Sequence, residues 1–430
     1  MKIVLIGAGS QSFGRGQIAD LLQAAELRGR GVTLALVDEN AEALALMTSL
    51  ARRIKEHTRS DITITSTTDR RAALAGARYV ITAVARKRYP LWEQDFRVPL
   101  AHGFKHVLGE NGGPGALFHA LRSLHLVIPI CRDVEQCCPD ALLLNFTNPE
   151  ARVLHAILHL TKVKAAGICH GVFDAERWIC RYLAMEREKL EIVSAGMNHF
   201  YCILRVTDLT TGGDRLAELL QKVREDTSPQ TPPLFKKLAE IFDVFTFPSD
   251  DHIGEYLSFG AEFHGTKWPY GQESRPVRLQ QQERASPVVE CAEGRAPVTE
   301  EILRASGEVT VPIVCDIELN RGARRSAVNV LNTGGYVENL PRDAAVEVPA
   351  VVDAGGIHPL TVGPVPETFA AYMRTQFAIH SLVTEAFRTR SRKRLLQALL
   401  LDPCVNSIVG AEGMLGEILE LQKDFLPAFE

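Results

Sequence analysis

The sequence has no excess of charge of either sign. Its 430 residues include 48 lysines and arginines and 52 aspartates and glutamates, which gives a formal net charge of -4. A chain without a strong positive charge has no general attraction for phosphate backbones or anionic lipids. We therefore predict that neither a nucleic acid nor a membrane is a partner of this protein.

Long apolar runs and a regular cysteine framework are also missing. The apolar run at the N-terminus ends at Gly7, far short of the roughly 18 residues that span a bilayer. Nine cysteines are scattered along a chain that is long enough to form a core without disulfides. We expect a cytoplasmic location and reduced thiols, with Cys131, Cys137, Cys138 and Cys180 as apolar filler of helices.

Short β-branched strands alternate with amphipathic helices over the first 165 residues. The predicted strands are Lys2 to Ile6, Val32 to Val37, Asp61 to Thr65, Arg78 to Val84 and Ala141 to Phe146. Such alternation specifies a parallel sheet covered by helices on both faces. We predict a Rossmann-type, doubly wound α/β domain over residues 1–165.

The pattern changes in the remaining residues, 166–430. The stretches AAGIC and EIVSAGMNHF are typical of strands, and Tyr201 to Thr207 alternates as antiparallel strands do. Residues 208–240 contain a turn, a charged helix and a proline-rich loop, which predicts a surface excursion. Residues 246–295 predict an irregular segment that forms a site, and helices dominate from Pro366. We expect a second, α+β domain that binds substrate and metal.

A glycine turn after the first strand predicts a dinucleotide site. Gly7 and Gly9 allow the backbone to approach a pyrophosphate, which the following helix N-terminus stabilises. Ser12 replaces the third glycine of the usual fingerprint. Asp38 ends the second strand, where an acidic side chain binds ribose hydroxyls and repels a 2′-phosphate. We predict NAD as the cofactor, with Ser10 and Phe13 as further contacts of this turn.

Two other stretches present polar groups beside the predicted crevice. In NFTNP, Asn148 follows a strand and is placed to bind nicotinamide or substrate hydroxyls. The alternative is a helix N-cap before Pro149, and both interpretations can hold together. In LGENGGPG, Glu110 and Asn111 are placed to reach sugar hydroxyls. The alternative is that the glycines only form an ordinary turn in a loop.

Cys169 and His170 follow one predicted strand, and His199 follows another. A thiolate and an imidazole at the ends of neighbouring strands are able to share a divalent metal. On spacing alone, a buried cysteine and a hydrogen-bonded core histidine are the better reading, so both interpretations stay open at this point.

Taken together, these segments resemble family 4 of the glycoside hydrolases, the NAD- and metal-dependent glycosidases with a lactate/malate-dehydrogenase-like fold. The stretches that carry the resemblance run from residue 3 to residue 353: GAGSQSFG, HGFKHVLGENGGPGALFHALRSL, NFTNPE, GICHG, GMNH, GEY and NTGGYVENLPRDAAVEVPAVVD.

The resemblance implies a role for several residues. It implies that Cys169 and His199 hold a Mn²⁺-like cation, that Tyr256 is the base, and that Asn198 of the GMNH stretch contacts substrate. His170 stands where members acting on phosphorylated sugars have Asp or Asn, which implies unphosphorylated α-glycosides. The implied reaction is oxidation at C3, loss of the C2 proton and elimination, with proton help from His170.

Three departures from the family pattern bear on the substrate. Ser12 replaces a fingerprint glycine, His119 stands where Arg is usual, and the loop after the fourth strand carries Arg86, Lys87 and Arg88. This basic loop makes a uronide the favoured substrate, with Arg88 as its contact, unless the loop is simply a solvated basic turn.

Two rival functions remain, and the subunit number is an expectation only. One rival is a 2-hydroxyacid dehydrogenase, which shares the fold, but Gly167 to Gly171 reads GICHG and supplies no GxHG-type element. The other rival is a catalytically inactive NAD-binding protein. We expect a homodimer or homotetramer.

Overall fold

The strands of the molecule form one continuous mixed sheet. The structure, a computed structural model, describes residues 1–268 and 286–430. The strand order is β3-β2-β1-β4-β5-β6-β9-β10-β7-β8, and β11 pairs with β10.

The first six strands are parallel and form the predicted Rossmann-type half. These strands are β1 (Lys2–Ile6), β2 (Thr33–Val37), β3 (Thr63–Thr67), β4 (Tyr79–Thr82), β5 (Leu142–Asn145) and β6 (Lys164–Gly167). The helices between them are α1 (Phe13–Gln23), α2 (Ala41–Thr58), α3 (Arg70–Leu74), α4 (Arg88–Ala101), α5 (Gly113–Cys137) and α6 (Glu150–Leu160). Strands such as β1 and β4 are buried almost throughout because helices cover both faces of the sheet.

The remaining strands are antiparallel and extend the same sheet, which confirms the predicted α+β second half. They are β7 (Leu190–Met197), β8 (Phe200–Asp208), β9 (Ala323–Leu331), β10 (Ala345–Asp353) and β11 (Gly356–Pro359). The two halves join where Gly167 of β6 pairs with Asn329 of β9.

Eleven further helices are described in the second half. They are α7 (Gly171–Leu183), α8 (Leu216–Glu225), α9 (Pro233–Phe242), α10 (Asp250–Ile253), α11 (Gly260–His264), α12 (Pro287–Ala292), α13 (Glu300–Leu303), α14 (Thr310–Leu319), α15 (Glu367–Thr389), α16 (Arg392–Leu401) and α17 (Ile408–Leu421).

Segments from the end of the chain complete the core of the first half. On one face of the parallel sheet, Val4 and Leu121 belong to the same apolar cluster as Leu395 and Met414. On the other face, Leu34 and Met47 share a cluster with Ile313 of α14. Residues 1–165 therefore depend on later segments for their buried surface, and the boundary at residue 165 stays a prediction.

The predicted surface excursion over residues 208–240 is wrong. Its helices α8 and α9 each bury an apolar face, with Leu219, Val223 and Phe235 inside the core of the second half. Proline-rich and charged stretches flank these helices, which is why the sequence pattern indicated surface. Of the irregular segment predicted over residues 246–295, residues 269–285 lie outside the described residues.

One helix of the described chain, α5, is long and apolar enough to cross a membrane. Of its most apolar window, 83% is buried inside the protein. All nine cysteines are free thiols, and Cys131 and Cys138 are buried as core filler. Cys137 and Cys180 are only partly buried, so the expectation of apolar filler holds less well for them.

Candidate active site

A cleft of about 1960 Å³ runs along the ends of the strands. It begins at the glycine turn after β1, passes the end of β5 and reaches the residues that follow β6 and β7. Open α/β sheets bind ligands outside the carboxyl ends of their parallel strands, so this is the expected place for a site.

The glycine turn lies so close to its neighbours that side chains do not fit. Gly7 has φ +93°, and a Cβ there would lie 2.0 Å from the Ala83 carbonyl oxygen. A Cβ on Gly14 would lie 2.6 Å from the Ala8 carbonyl oxygen. Gly14 thus allows α1 to approach the turn, which is the packing role of the fingerprint glycine that Ser12 replaces.

Asp38 connects the glycine turn to the second strand. Its Oδ2 accepts a hydrogen bond from the Gly9 backbone N–H at 2.9 Å, and its Oδ1 accepts one from Asn40 at 2.9 Å. Six residues predicted to bind the dinucleotide line this end of the cleft: Gly7, Gly9, Ser10, Ser12, Phe13 and Asp38. The carboxylates of Asp38 and Glu39 lie at the same edge, and such charge disfavours a 2′-phosphate.

At the other end of the cleft, the two predicted metal ligands meet. The Cys169 Sγ lies 3.2 Å from the His199 Nε2. Cys169 comes after β6, and His199 is in the two-residue turn between Met197 and Phe200, which pair across β7 and β8. His199 has φ +62°, a strained value for a residue with a side chain.

The electrostatics of this pair suit a bound cation. Burial, then the Glu347 carboxyl, raises the pKa of the Cys169 thiol, so a thiolate there needs a positive partner. Burial, then His252 and His170, lowers the pKa of His199 well below its usual value, which favours the neutral imidazole that ligates metals. Over residues 1–268 and 286–430, no third His, Cys, Asp or Glu completes a metal-binding cluster with them.

His170 also faces the cleft, at the start of α7. Its side chain is 56% exposed, and its Nδ1 lies 3.1 Å from Glu308 Oε1. A carboxylate beside one ring nitrogen orients the imidazole and directs the other nitrogen outward. Glu308 was not indicated by the sequence.

Asn148 contacts Glu110 at the centre of the cleft. Its Nδ2 lies 3.4 Å from Glu110 Oε1, and helix α6 begins after Pro149 without a side-chain cap, so the N-cap interpretation of Asn148 is wrong. Arg88 donates to the same Glu110 oxygen at 2.5 Å. Burial raises the pKa of Glu110, but Arg88, His119 and His252 together lower it by more, so the carboxylate is charged.

Three predicted site residues do not line the cleft. Asn111 is buried, and its backbone N–H donates to Glu255 at 2.9 Å. Asn198 is buried and donates to Glu347 Oε2 at 3.1 Å, behind the metal pair. Both amides lie in the protein interior rather than at the cleft surface, and their roles as substrate contacts stay predictions.

Tyr256 also lies behind the cleft wall. Its ring is buried and stacks on Phe200 at 5.1 Å, and its hydroxyl donates to the Asn198 carbonyl oxygen at 3.4 Å. Burial, then the Glu255 carboxyl, raises its pKa well above the usual value, the reverse of what the base role requires. The position of Tyr256 therefore does not match the expected cleft base, and its role stays a prediction.

The sequence reasoning missed several acidic residues and one histidine. Glu255 accepts the backbone N–H groups of residues 110, 111 and 112 at 2.6, 2.9 and 3.1 Å, which fixes the loop that carries Glu110. Glu347 accepts from Asn198 and Asn329. His252 lines the cleft beside His199, and Asp251 contacts the His252 ring at 2.8 Å. A lone glutamate in the apolar strand β10 and the acidic run DDHIGEY were the available signals.

Two sequence patterns of one family cover most of the chain. The pattern described as "Family 4 glycosyl hydrolase" matches residues 2–185, and that described as "Family 4 glycosyl hydrolase C-terminal domain" matches residues 194–405.

Individual proteins resemble the chain over its whole length. An alpha-glucosidase of Erwinia rhapontici is 30% identical over 99% of this chain and 98% of its own length. An alpha-galactosidase of Bacillus subtilis (strain 168) is 29% identical and covers 100% of both chains. The fold is similar to the crystal structure of a 6-phospho-alpha-glucosidase from gut microorganisms in complex with NAD and Mn²⁺, with a TM-score of 0.87, 22% identity and coverage of 100% and 99%.

Proposed function

Since the chain belongs to family 4 of the glycosyl hydrolases, we propose that it hydrolyses α-glycosides of neutral, unphosphorylated hexoses. The expectation of an NAD- and divalent-metal-dependent glycosidase is confirmed at the level of the family. The observation that carries the proposal is the 3.2 Å contact of Cys169 with His199 in the same cleft as the glycine turn. Because the chain belongs to a glycosidase family, this function takes the place of the rival interpretation as a 2-hydroxyacid dehydrogenase.

The residues divide into a cofactor end and a metal end. Gly7 and Gly9 would hold the pyrophosphate, and Cys169 with His199 would hold the cation; all four residues line the cleft. When bound, NAD supplies hydride transfer and the cation supplies Lewis-acid polarisation of the sugar oxygens. His170, oriented by Glu308, holds a proton for the departing glycosidic oxygen.

A neutral sugar fits the charges of the cleft better than a uronide. Arg86 forms an ion pair with Glu39, and Lys87 lies 5.0 Å from the centre of the Phe425 ring. Arg88 forms an ion pair with Glu110, so a substrate carboxylate bound to Arg88 would lie beside the Glu110 carboxylate. The resulting repulsion disfavours an acidic sugar, whereas hydroxyl groups are able to donate to Glu110 and accept from Arg88.

An unphosphorylated substrate is supported by two independent observations. His170 stands where the resemblance places Asp or Asn in members acting on phosphorylated sugars. The similar proteins of Erwinia rhapontici and Bacillus subtilis are an α-glucosidase and an α-galactosidase. We therefore propose α-glucosides or α-galactosides as the substrate class.

The proposal is tested with a panel of p-nitrophenyl glycosides in the presence of NAD⁺, Mn²⁺ and a thiol reductant. We expect the α-glucoside or the α-galactoside to be cleaved at least tenfold faster than the corresponding α-uronides and 6-phosphoglycosides. Faster cleavage of a uronide would favour the basic-loop interpretation instead. Tight NAD binding without cleavage of any glycoside would indicate an inactive protein.

The role of Tyr256 needs a separate experiment. If the phenol is the base, Tyr256→Phe loses turnover together with exchange of the C2 hydrogen. If Tyr256 only packs on Phe200, as its burial suggests, the variant keeps most of its activity. A shifted melting temperature with unchanged kcat would assign it a structural role.

We also propose a homodimer or homotetramer in solution. Leu401, Ile408 and Val409 are exposed on α16 and α17, and Val409 is 80% exposed. Large apolar side chains exposed in this way support a subunit interface. Light scattering that gives the mass of a monomer at micromolar concentration would contradict this expectation.

A further inference from the structure

His252 is a cleft residue for which no role has been assigned so far. It lies in the short helix α10, which is fixed to the start of α9 by Asp250. The Asp250 carboxylate accepts the backbone N–H groups of Leu234 and Phe235 at 2.8 and 2.9 Å. The backbone that carries His252 is therefore anchored to the core of the second half, as a binding residue requires.

The imidazole ring of His252 is held on two sides. Its Nδ1 lies 2.8 Å from Asp251 Oδ1, and Asp251 in turn accepts a hydrogen bond from the Ser249 hydroxyl. The ring packs edge-on against Phe247, with 5.2 Å between the ring centres. Because Nδ1 donates to a carboxylate, Nε2 is the nitrogen left for another molecule.

The free edge of this ring opens into the cleft. The side chain is 27% exposed and lines the cavity, and Nε2 has no protein partner in the described part of the chain. The ring centre of His252 lies 4.7 Å from that of His199. A sugar held at Cys169 and His199 therefore lies beside His252.

The groups around His252 come from three elements. Asp251 and Glu255 belong to its own segment, Glu110 comes from the loop before α5, and His199 comes from the β7–β8 turn. Asp251 and Glu110, whose pKa values are lowered, carry negative charge and disfavour an anionic ligand at this position. Since no three-residue metal cluster includes His252 among the described residues, a hydroxyl group is the ligand that fits.

We propose that His252 binds a hydroxyl group of the substrate sugar through Nε2. This proposal rests on the proposed function: if the reaction takes place at C3 and C2, as the family resemblance implies, the oxygens of these two carbons lie at the Cys169–His199 pair. The hydroxyl that His252 contacts is then the one at C4 or C6, the remaining positions of a neutral hexose. His252 is on this account a substrate-binding residue that helps to select the sugar.

Two substitutions separate binding from packing. In His252→Asn the amide nitrogen replaces Nδ1 and keeps the contact with Asp251, but no group reaches the cleft. In His252→Gln the amide extends to the place of Nε2. Both variants remain able to pack on Phe247, so a general loss of structure would affect both.

The experiment measures kcat and KM for the holoenzyme with NAD⁺ and Mn²⁺ on the preferred p-nitrophenyl α-hexoside and on its 4-deoxy and 6-deoxy analogues. Binding of the free hexose is measured by calorimetry with NADH and Mn²⁺. We expect His252→Asn to lower kcat/KM and hexose affinity by roughly 10-fold to 100-fold, and His252→Gln to recover part of the loss. On the analogue that lacks the hydroxyl bound by His252, His252→Asn and the wild type should have equal kcat/KM, because the contact is already missing.

If His252→Asn loses kcat/KM equally on the parent sugar and on both analogues, the proposal is overturned. It is also overturned if His252→Asn has the same kcat/KM and hexose affinity as the wild type. If the wild-type protein binds no hexose and cleaves no glycoside, the proposed function is contradicted, and this inference fails with it. That failure is visible before any variant is made, so the two are distinguishable.

Discussion

The cofactor end of the cleft is built mainly from backbone, and the metal end is built from side chains. At the cofactor end, Gly7, Gly9 and Gly14 matter because they have no Cβ, and Asp38 holds the turn by a backbone N–H. At the proposed metal end, the side chains of Cys169 and His199 bring a sulfur and a nitrogen atom to within 3.2 Å of each other. Single side-chain changes should therefore abolish function at the metal end and only weaken it at the cofactor end.

The largest expected effect is at the metal end. Cys169→Ser should reduce metal-dependent hydrolysis by roughly a thousandfold, because the Lewis-acid contribution of several kcal/mol is lost with the ligand. NAD affinity, measured by fluorescence titration, should stay within threefold of wild type. The matched control is Cys180→Ser, which changes a partly buried thiol of α7 that does not line the cleft. Loss of NAD affinity in Cys169→Ser with intact metal binding would contradict the assignment.

A smaller effect, on stability, is expected for His106 in the loop between α4 and α5. Burial lowers the pKa of His106 to about 4, so the folded protein holds this ring neutral. Above pH 6.5 the His106 ring is neutral in the unfolded chain as well, so it does not lower the free energy of unfolding. As the pH drops from 6.5 toward 4, the unfolded chain binds a proton that the folded protein excludes, and the free energy of unfolding falls. At pH 5 the loss is about 2 kcal/mol relative to pH 7.5.

Denaturant unfolding of the wild type and His106→Gln at pH 7.5 and pH 5 isolates this group. The difference between the two proteins should shrink by that amount on acidification. A difference that is independent of pH would show that the buried ring titrates normally.

At the cofactor end, Asp38→Ala should weaken NAD binding by about tenfold. The substitution removes the acceptor for the Gly9 N–H and one carboxylate at the ribose edge, a loss of about 1.4 kcal/mol. In Asp38→Asn the acceptor remains but the charge does not, so NADP binding should improve while NAD binding changes less. If Asp38→Ala abolishes NAD binding, the turn depends on this side chain more than on its glycines.

The smallest effect is expected for Arg86→Ala. Arg86 and Glu39 are 46% and 61% exposed, and exposed ion pairs contribute about 0–1 kcal/mol. The preference for neutral glycosides over uronides should change by less than about threefold. A selective collapse of uronide cleavage in this variant would restore the basic loop as a substrate contact.

The same contrast explains which features were predictable from the sequence. The parallel half and its turn follow from local patterns, since Gly7, Gly9 and Asp38 lie within two adjacent βα units. The pairing of Cys169 with His199 joins residues 30 positions apart in the chain, and only the family resemblance favoured it. Spacing alone does not say which strand ends meet.

Other features required the three-dimensional structure. The burial of Asn198 and Tyr256 depends on β10 and α15 closing over the metal pair from behind, where Glu347 and Phe369 lie. Helices α8 and α9 looked like surface because their flanks are polar, although one face of each is apolar. His252 became visible only through its distances to Asp251 and His199.

The most direct measurement concerns the hydrogen at C2 of the sugar. The reaction that the family resemblance implies, oxidation at C3 followed by elimination, requires this hydrogen to leave during hydrolysis and to be replaced from water. Hydrolysis of the preferred α-hexoside in D₂O, followed by NMR of the released sugar, should show deuterium at C2, and Cys169→Ser should show neither product nor label. Released sugar without deuterium at C2, when non-enzymatic exchange is excluded, would contradict the account even for an active glycosidase.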